Sequence, residues 1–244
     1  MPSQERYLQK IYGRRQAKGL RPERSRLYET LLPDIAVPDS ANSPLDLHAL
    51  FPQDSIREIW LEIGFGGGEH LAWQAERRPQ VGFIGAEPFL DGVGRLLKLV
   101  HETQLTNVRI LHGDARPLLE ALPTGSLGRI FLLHPDPWPK KRHHKRRMAS
   151  RWFFREAART MNPGGVLRIA SDIPDYIRWT LMNARSALEL EWLAESALDW
   201  QRRPDDWPQT RYERKALLEG RQPTYLQFRR RGELLANATP QRDL

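Results

Sequence analysis

The sequence predicts an α/β protein with a Rossmann-like, doubly wound and mostly parallel sheet. Two observations predict it: from Ile59 onward five short β-rich runs alternate with stretches of helical spacing, and a glycine-rich turn follows the first run. A third narrows the class, because acids stand at or near the ends of successive runs, where open α/β sheets bind ligands.

Taken in order, residues 1–50 differ from the rest. Up to Arg26 they carry eight Lys/Arg against two Glu, with little apolar periodicity, and PDSANSP at 38–44 has a loop composition. This predicts a mobile, partly disordered basic arm, followed by a catalytic unit over 51–232 and a tail over 233–244. Within the unit, IWLEI, VGFIGAE, NVRILHG, RIFLLH and GVLRIAS each have the length and β-branched or aromatic content of a strand. Between the last two, MASRWFFREAARTM at 148–161 places Trp152, Phe153, Ala157 and Met161 near one face of a helix, which NPGG at 162–165 stops. That face is read as core packing.

Composition excludes several functions. The 244 residues contain no cysteine, which removes disulfides, thiolate metal sites and cysteine nucleophiles and fits a cytoplasmic location. No His/carboxylate spacing suggests a metal site, so none is expected. The first twenty residues lack the apolar core of a secretory signal, and no apolar run approaches a membrane span. Lys+Arg exceed Asp+Glu by 38 to 30, a net +8 that attracts polyanions, with nucleic acid the first partner to test. Either a monomer or a homodimer is compatible with this composition.

The first run passes into LEIGFGGGEH. Gly64 and Gly66 allow positive φ and let a bound molecule lie against backbone with no Cβ in the way. Glu69 stands where a dinucleotide fingerprint has its third glycine, and the Lys-Ser/Thr of a phosphate loop is missing, so a nucleoside cradle is favoured. Glu87 closes the second run about twenty residues past the glycines, where a carboxylate accepts bonds from a ribose diol. Asp114 closes the third run, and Glu62 sits where it can meet the cationic end of a zwitterion. A site built from acids repels phosphate and suits a cationic cofactor without a diphosphate. S-adenosylmethionine meets that description. A nicotinamide-dependent oxidoreductase is the rival that the glycine loop alone permits, and an RNA-binding module with a degenerate site is the rival outside catalysis.

HPDPWPKKRHHKRR at 134–147 follows the fourth run. If that strand lies beside the first, Asp136 faces the cofactor across the topological switch point. Pro135, Pro137 and Pro139 remove backbone donors and fix φ, which makes a stiff rim presenting Asp136 and Trp138 outward. Lys140 to Arg147 then form a ridge suited to phosphate contacts, with His143 and His144 read as plain surface residues. Trp138 either packs or stacks on a base.

EIGFGGG, the Glu87 strand end, GDA and above all HPDPWPKKRHHKRR resemble the bacterial tRNA (guanine-N7-)-methyltransferase family from about Ile59 to Phe228. The resemblance implies a class I S-adenosylmethionine-dependent methyltransferase acting on a guanosine in the variable loop of tRNA. It implies that Glu62, Glu87, Asp114 and Asp136 contact the cofactor site beside Gly64 and Gly66, with Asp136 also catalytic. It further implies substrate contacts from Lys140, Asp172, Thr210 and Glu213. His134 and Lys215 stand where members commonly carry other residues.

The chemistry can be argued independently. Guanine N7 has a free lone pair and no proton, so methyl transfer needs in-line placement and no general base. Positive charge moves onto the purine as the bond forms, and a nearby carboxylate stabilises it. Acids at Asp136, Asp172 or Glu213 can also accept the N1–H and N2–H donors that distinguish guanine from adenine. Asp172 as a helix N-cap and Glu213 as a surface charge are the structural alternatives.

Overall fold

A computed structural model describes residues 19–38 and 44–232. The chain opens with α1 (Pro22–Thr30), α2 (Leu32–Ile35) and α3 (Leu47–Leu50). It continues through β1 (Glu58–Ile63), α4 (Glu69–Arg77), β2 (Val81–Ala86), α5 (Leu90–Thr103), β3 (Val108–Leu111), α6 (Ala115–Ala121) and β4 (Leu127–Leu133). A 3₁₀ turn over Lys141–Arg146 leads to α7 (Arg151–Thr160), β5 (Met161–Ser171) and α8 (Pro174–Ala184). Then come β6 (Leu190–Trp192), α9 (Leu198–Gln201), α10 (Arg211–Leu218) and β7 (Thr224–Arg230).

The sheet order is β3-β2-β1-β4-β5-β7-β6. The first five strands pair in parallel, and β7 runs antiparallel to β5 and β6. Side chains alternate across the pleat, so β1 sends Leu61 and Ile63 to one face and Trp60 and Glu62 to the other. Ile130 and Leu132 of β4 join the first face under α6, α7 and α8, while Phe131 and Leu133 join the second under α4 and α5. Coverage on both sides explains why the strands are rich in apolar residues at consecutive positions, with charges such as Glu62 and Arg168 the exceptions. The first and fourth strands are neighbours, so the chain reverses direction across the sheet between β1 and β4.

Three sequence readings change. Residues 19–38 and 44–50 are packed on the domain, not part of a mobile arm. Leu27 is buried, Arg24 and Glu23 of α1 pair with Asp91 (2.8 Å) and Lys98 (2.7 Å) of α5, and Val37 N–H donates to Ile110 of edge strand β3. The remainder of the arm, 1–18 and 39–43, and the 233–244 tail lie outside the described residues. The helix expected over 148–161 spans only 151–160, because Ser150 caps it by accepting from Phe153 N–H and Met161 is already extended. NPGG then bulges inside β5: partners advance from Leu127↔Met161 to Arg129↔Val166. Among the described residues, no helix is long and apolar enough to cross a membrane.

The start of α5 closes tightly beneath the glycine loop. A Cβ added at Gly92 would lie 2.3 Å from the Gly66 carbonyl oxygen and 3.2 Å from Glu87 Cγ. Because a backbone atom cannot yield as a side-chain tip can, Gly92→Ala is expected to destabilise by about 2 kcal/mol or more. Urea unfolding measures this, and a variant as stable as the parent would contradict the packing.

Candidate active site

The strand ends open onto a cleft of about 360 Å³ lined by Gly64, Gly66, Glu87, Asp114 and Asp136, with walls from Phe89, Trp138 and Tyr212 among others. β1 ends at Ile63, and Gly64 (φ 70°) and Gly66 (φ 57°) turn the chain through the left-handed region into α4. A side chain at Gly66 would also meet the Tyr212 ring, which lies over the loop from α10.

Glu87 follows β2. Its two oxygens accept from Gly66 N–H and Phe89 N–H, both at 2.8 Å, so the acid splints the glycine loop to the start of α5. Burial pushes its carboxyl up to about 6, the two amides hold it down, and the charges of Asp136 and Glu62 push it up further. Asp114 caps α6 by accepting from Arg116 N–H and pairs with the Arg116 guanidinium at 2.6 Å. Asp136 is accessible from the cleft, yet the surrounding walls desolvate its carboxyl enough to raise it above the ordinary aspartate value.

The rim segment PDP lies between two non-glycine residues in left-handed backbone, His134 (φ 48°) and Trp138 (φ 43°). His134 N–H still pairs with Ala170 O, so β4 keeps its register until the turn begins. Arg147 holds the rim from below. Its Nε donates to Pro137 O (2.8 Å) and Nη2 to Asp175 (2.6 Å), with the guanidinium over Trp179 and Tyr176. Arg147 is 2% exposed, so it is removed from the expected phosphate ridge, as is Arg146, which lines the cleft against Trp138. Lys140, Lys141, Arg142 and Lys145 are exposed. His143 and His144 are half-buried, edge-on to Trp138 and Trp179, and so are not plain surface residues.

The other predicted residues stand back from this cleft. Glu62 is buried and faces α4, where Oε2 meets His70 Nδ1 at 2.7 Å. Asp172 does not cap α8. It accepts from Arg221 (2.6 Å) and lies 3.4 Å from His134, and although burial pushes its carboxyl up, these partners outweigh that and hold it below the ordinary value. Thr210 caps α10 by accepting from Glu213 N–H. Glu213 is 2% exposed and no surface charge: Oε1 accepts from Tyr225 (2.8 Å) and Arg203 (3.2 Å), and Oε2 is buried with no hydrogen-bond partner among the described residues. Sequence reasoning missed Arg147, Tyr212 and Arg116. Tyr212 was within reach, flanked by Thr210 and Glu213.

A nucleoside-sized cleft at the switch point, glycine-floored and acid-lined, on this strand order defines a class I methyltransferase. A family model described as "Putative methyltransferase" matches residues 57–226. A tRNA (guanine-N(7)-)-methyltransferase of Rhodospirillum rubrum is 47% identical over 234 residues, covering 95% of this chain and 91% of its own. One from Ruegeria pomeroyi is 50% identical over 226 residues, covering 90% and 94%. The chain belongs to the tRNA (guanine-N7-)-methyltransferase family. The fold also matches the solved 16S rRNA methyltransferase KamB (TM-score 0.51, 14% identity, 78% of this chain and 96% of that one). It likewise matches a 16S rRNA adenine-N1-methyltransferase from Catenulisporales acidiphilia solved with SAM (TM-score 0.50, 15% identity, 81% and 97%).

Proposed function

We propose that the protein methylates N7 of a guanosine in the variable loop of tRNA, using S-adenosylmethionine held in the cleft between Glu87, Asp114 and Asp136. The observation that carries this reading is the donor set of the cleft. Three carboxylates and a glycine floor, with Arg116 paired to Asp114 and Arg146 at the rim, leave Glu87 and Asp136 to meet a cation with hydroxyls, and no Lys-Ser/Thr pair follows the glycines. The cofactor supplies an electrophilic methyl group. Glu87 retains lone pairs for a ribose diol after binding two amides, and Gly64 and Gly66 let the ligand approach backbone. Asp136 stands where charge develops on the purine.

On the substrate side, Glu213 stands behind the cleft with one oxygen lacking a partner among the described residues, an acceptor suited to N1–H or N2–H of guanine once the base displaces the turn that Thr210 fixes. Asp172 is oriented by Arg221 and His134 for the same edge. Lys140 and its exposed basic neighbours grip phosphate as the base leaves its stack. The catalytic unit over 51–232 acts in the cytoplasm. Incubation with methyl-labelled cofactor and unmodified tRNA, then digestion and mapping, is expected to put label only in 7-methylguanosine from the variable loop. Label in another nucleoside or region would refute the assignment.

The raised carboxyl of Glu87 adds a pH dependence. Protonation removes both the charge and an acceptor, so cofactor affinity is expected to fall as pH drops through about 6 and to be level above it. The stability sign is opposite. A carboxyl raised from 4.5 to about 6 by folding contributes stability to the unliganded protein that is full below 4.5 and lost as pH rises through about 6. The cofactor's thermal shift should therefore grow across that window. Calorimetry at a series of pH values checks this, and a dissociation constant flat across it would contradict it.

A further inference from the structure

We propose that His70 is a positioning residue for the cofactor: held as the neutral Nδ1–H tautomer by Gln74, it presents Glu62 as a full negative charge toward the cationic amino-acid end of S-adenosylmethionine. The inference rests on the cofactor reading above.

Glu62 and Trp60 point from β1 toward α4. His70 stands in the first turn of that helix and Gln74 follows one turn later on the same side, with Arg78 at the helix C-cap reaching back to Gln74. His70 and Gln74 are 2% and 0% exposed. His70 Nδ1 lies 2.7 Å from Glu62 Oε2, and His70 Nε2 lies 3.1 Å from Gln74 Nε2. The far end of the chain settles the protons. Gln74 Nε2 also donates to the Asp206 carbonyl at 2.9 Å, while Gln74 Oε1 accepts from Arg78 at 2.5 Å. Rotating the amide would set oxygen against that carbonyl and N–H against the guanidinium, so its orientation is fixed.

Gln74 therefore turns an N–H toward His70 Nε2, which has to accept. The proton belongs on Nδ1 and is donated to Glu62. An imidazolium would aim a second donor at the Gln74 amide across 3.1 Å, and it would cancel the carboxylate's charge. Glu62 Oε1 makes no hydrogen bond among the described residues. The next two residues, Ile63 and Gly64, line the cleft, and the Glu62 charge reaches Glu87. A buried anion with one oxygen committed and the other without a partner among the described residues, one position before cleft-lining Ile63, suits an ammonium group.

Two variants separate this role from packing. His70→Asn keeps a donor nitrogen on the same Cγ, whereas His70→Leu removes it. His70→Leu is expected to raise both KM and Kd for S-adenosylmethionine about tenfold or more, with kcat at saturation and tRNA affinity within about twofold, and His70→Asn should recover most of the loss. Wild-type cofactor affinity in a folded His70→Leu, or an equal defect in both variants confined to kcat, would overturn the proposal. A ¹⁵N-histidine spectrum of the wild-type protein, assigned by the resonance lost in His70→Asn, is expected to show Nδ1 protonated and Nε2 bare at neutral pH. An imidazolium or an Nε2–H tautomer would overturn it even if His70→Leu fails to fold. Absence of cofactor binding by the wild-type protein would instead refute the reading beneath it, which the spectrum does not test.

Discussion

Asp136→Asn is expected to lower kcat by about 10²- to 10³-fold while tRNA affinity stays within about twofold. The variant keeps the size and one acceptor of the side chain, removes its charge and turns the second oxygen into an N–H donor. That charge matters because the reacting nitrogen starts neutral and ends cationic, so a nearby carboxylate interacts more strongly with the transition state than with bound guanine. The geometry makes the effect large. Asp136 sits on a segment pinned by two prolines between left-handed residues, so it does not reorganise as charge develops, and partly desolvating walls strengthen its field. Single-turnover rates with saturating cofactor and tRNA measure the effect. An undiminished rate would remove Asp136 from the chemistry.

Arg147→Met is expected to cost about 2 to 3 kcal/mol in stability. Its ion-pair partner Asp175 is half exposed and returns to water when unpaired, so the salt bridge supplies little of this figure. The cost comes from the Pro137 carbonyl left without its buried donor and from the cation lost over Trp179 and Tyr176. Left-handed backbone at His134 and Trp138 costs about 1 kcal/mol each and persists only while such contacts over-determine the turn. The same variant should therefore loosen the rim and slow methylation. Arg147→Lys should not rescue it, because one ammonium cannot span a carbonyl, a carboxylate and two rings. Urea titration checks the figure, and a loss below about 0.5 kcal/mol would contradict this account of the rim.

What was legible in the sequence follows from range. Strands β1, β2, β4 and the second half of β5 are readable because they are buried on both faces, and edge strand β3 because its buried Val108 and Ile110 alternate with half-buried residues. The edge strand β6 has three residues, and β7 is signalled only by Tyr225, Leu226 and Phe228 among polar neighbours. Helix α1 offers one buried leucine, and its attachment rests on ion pairs to residues 67 and 75 positions away, which no local pattern reveals. Arg147 was hidden for the opposite reason: inside a run of like charges it resembles its solvated neighbours, and only the folded rim distinguishes it. Glu62 was half legible, since alternation along IWLEI puts it beside Trp60, but the histidine facing it comes from the next helix.

Calorimetric titration of S-adenosylmethionine and of NAD into the wild-type protein and Glu87→Ala tests the acid-lined cleft most directly. Heat is expected from S-adenosylmethionine with the wild-type protein, sharply reduced in Glu87→Ala, and none from NAD. Binding of NAD in place of S-adenosylmethionine, or cofactor affinity unchanged without the Glu87 carboxylate, would contradict it.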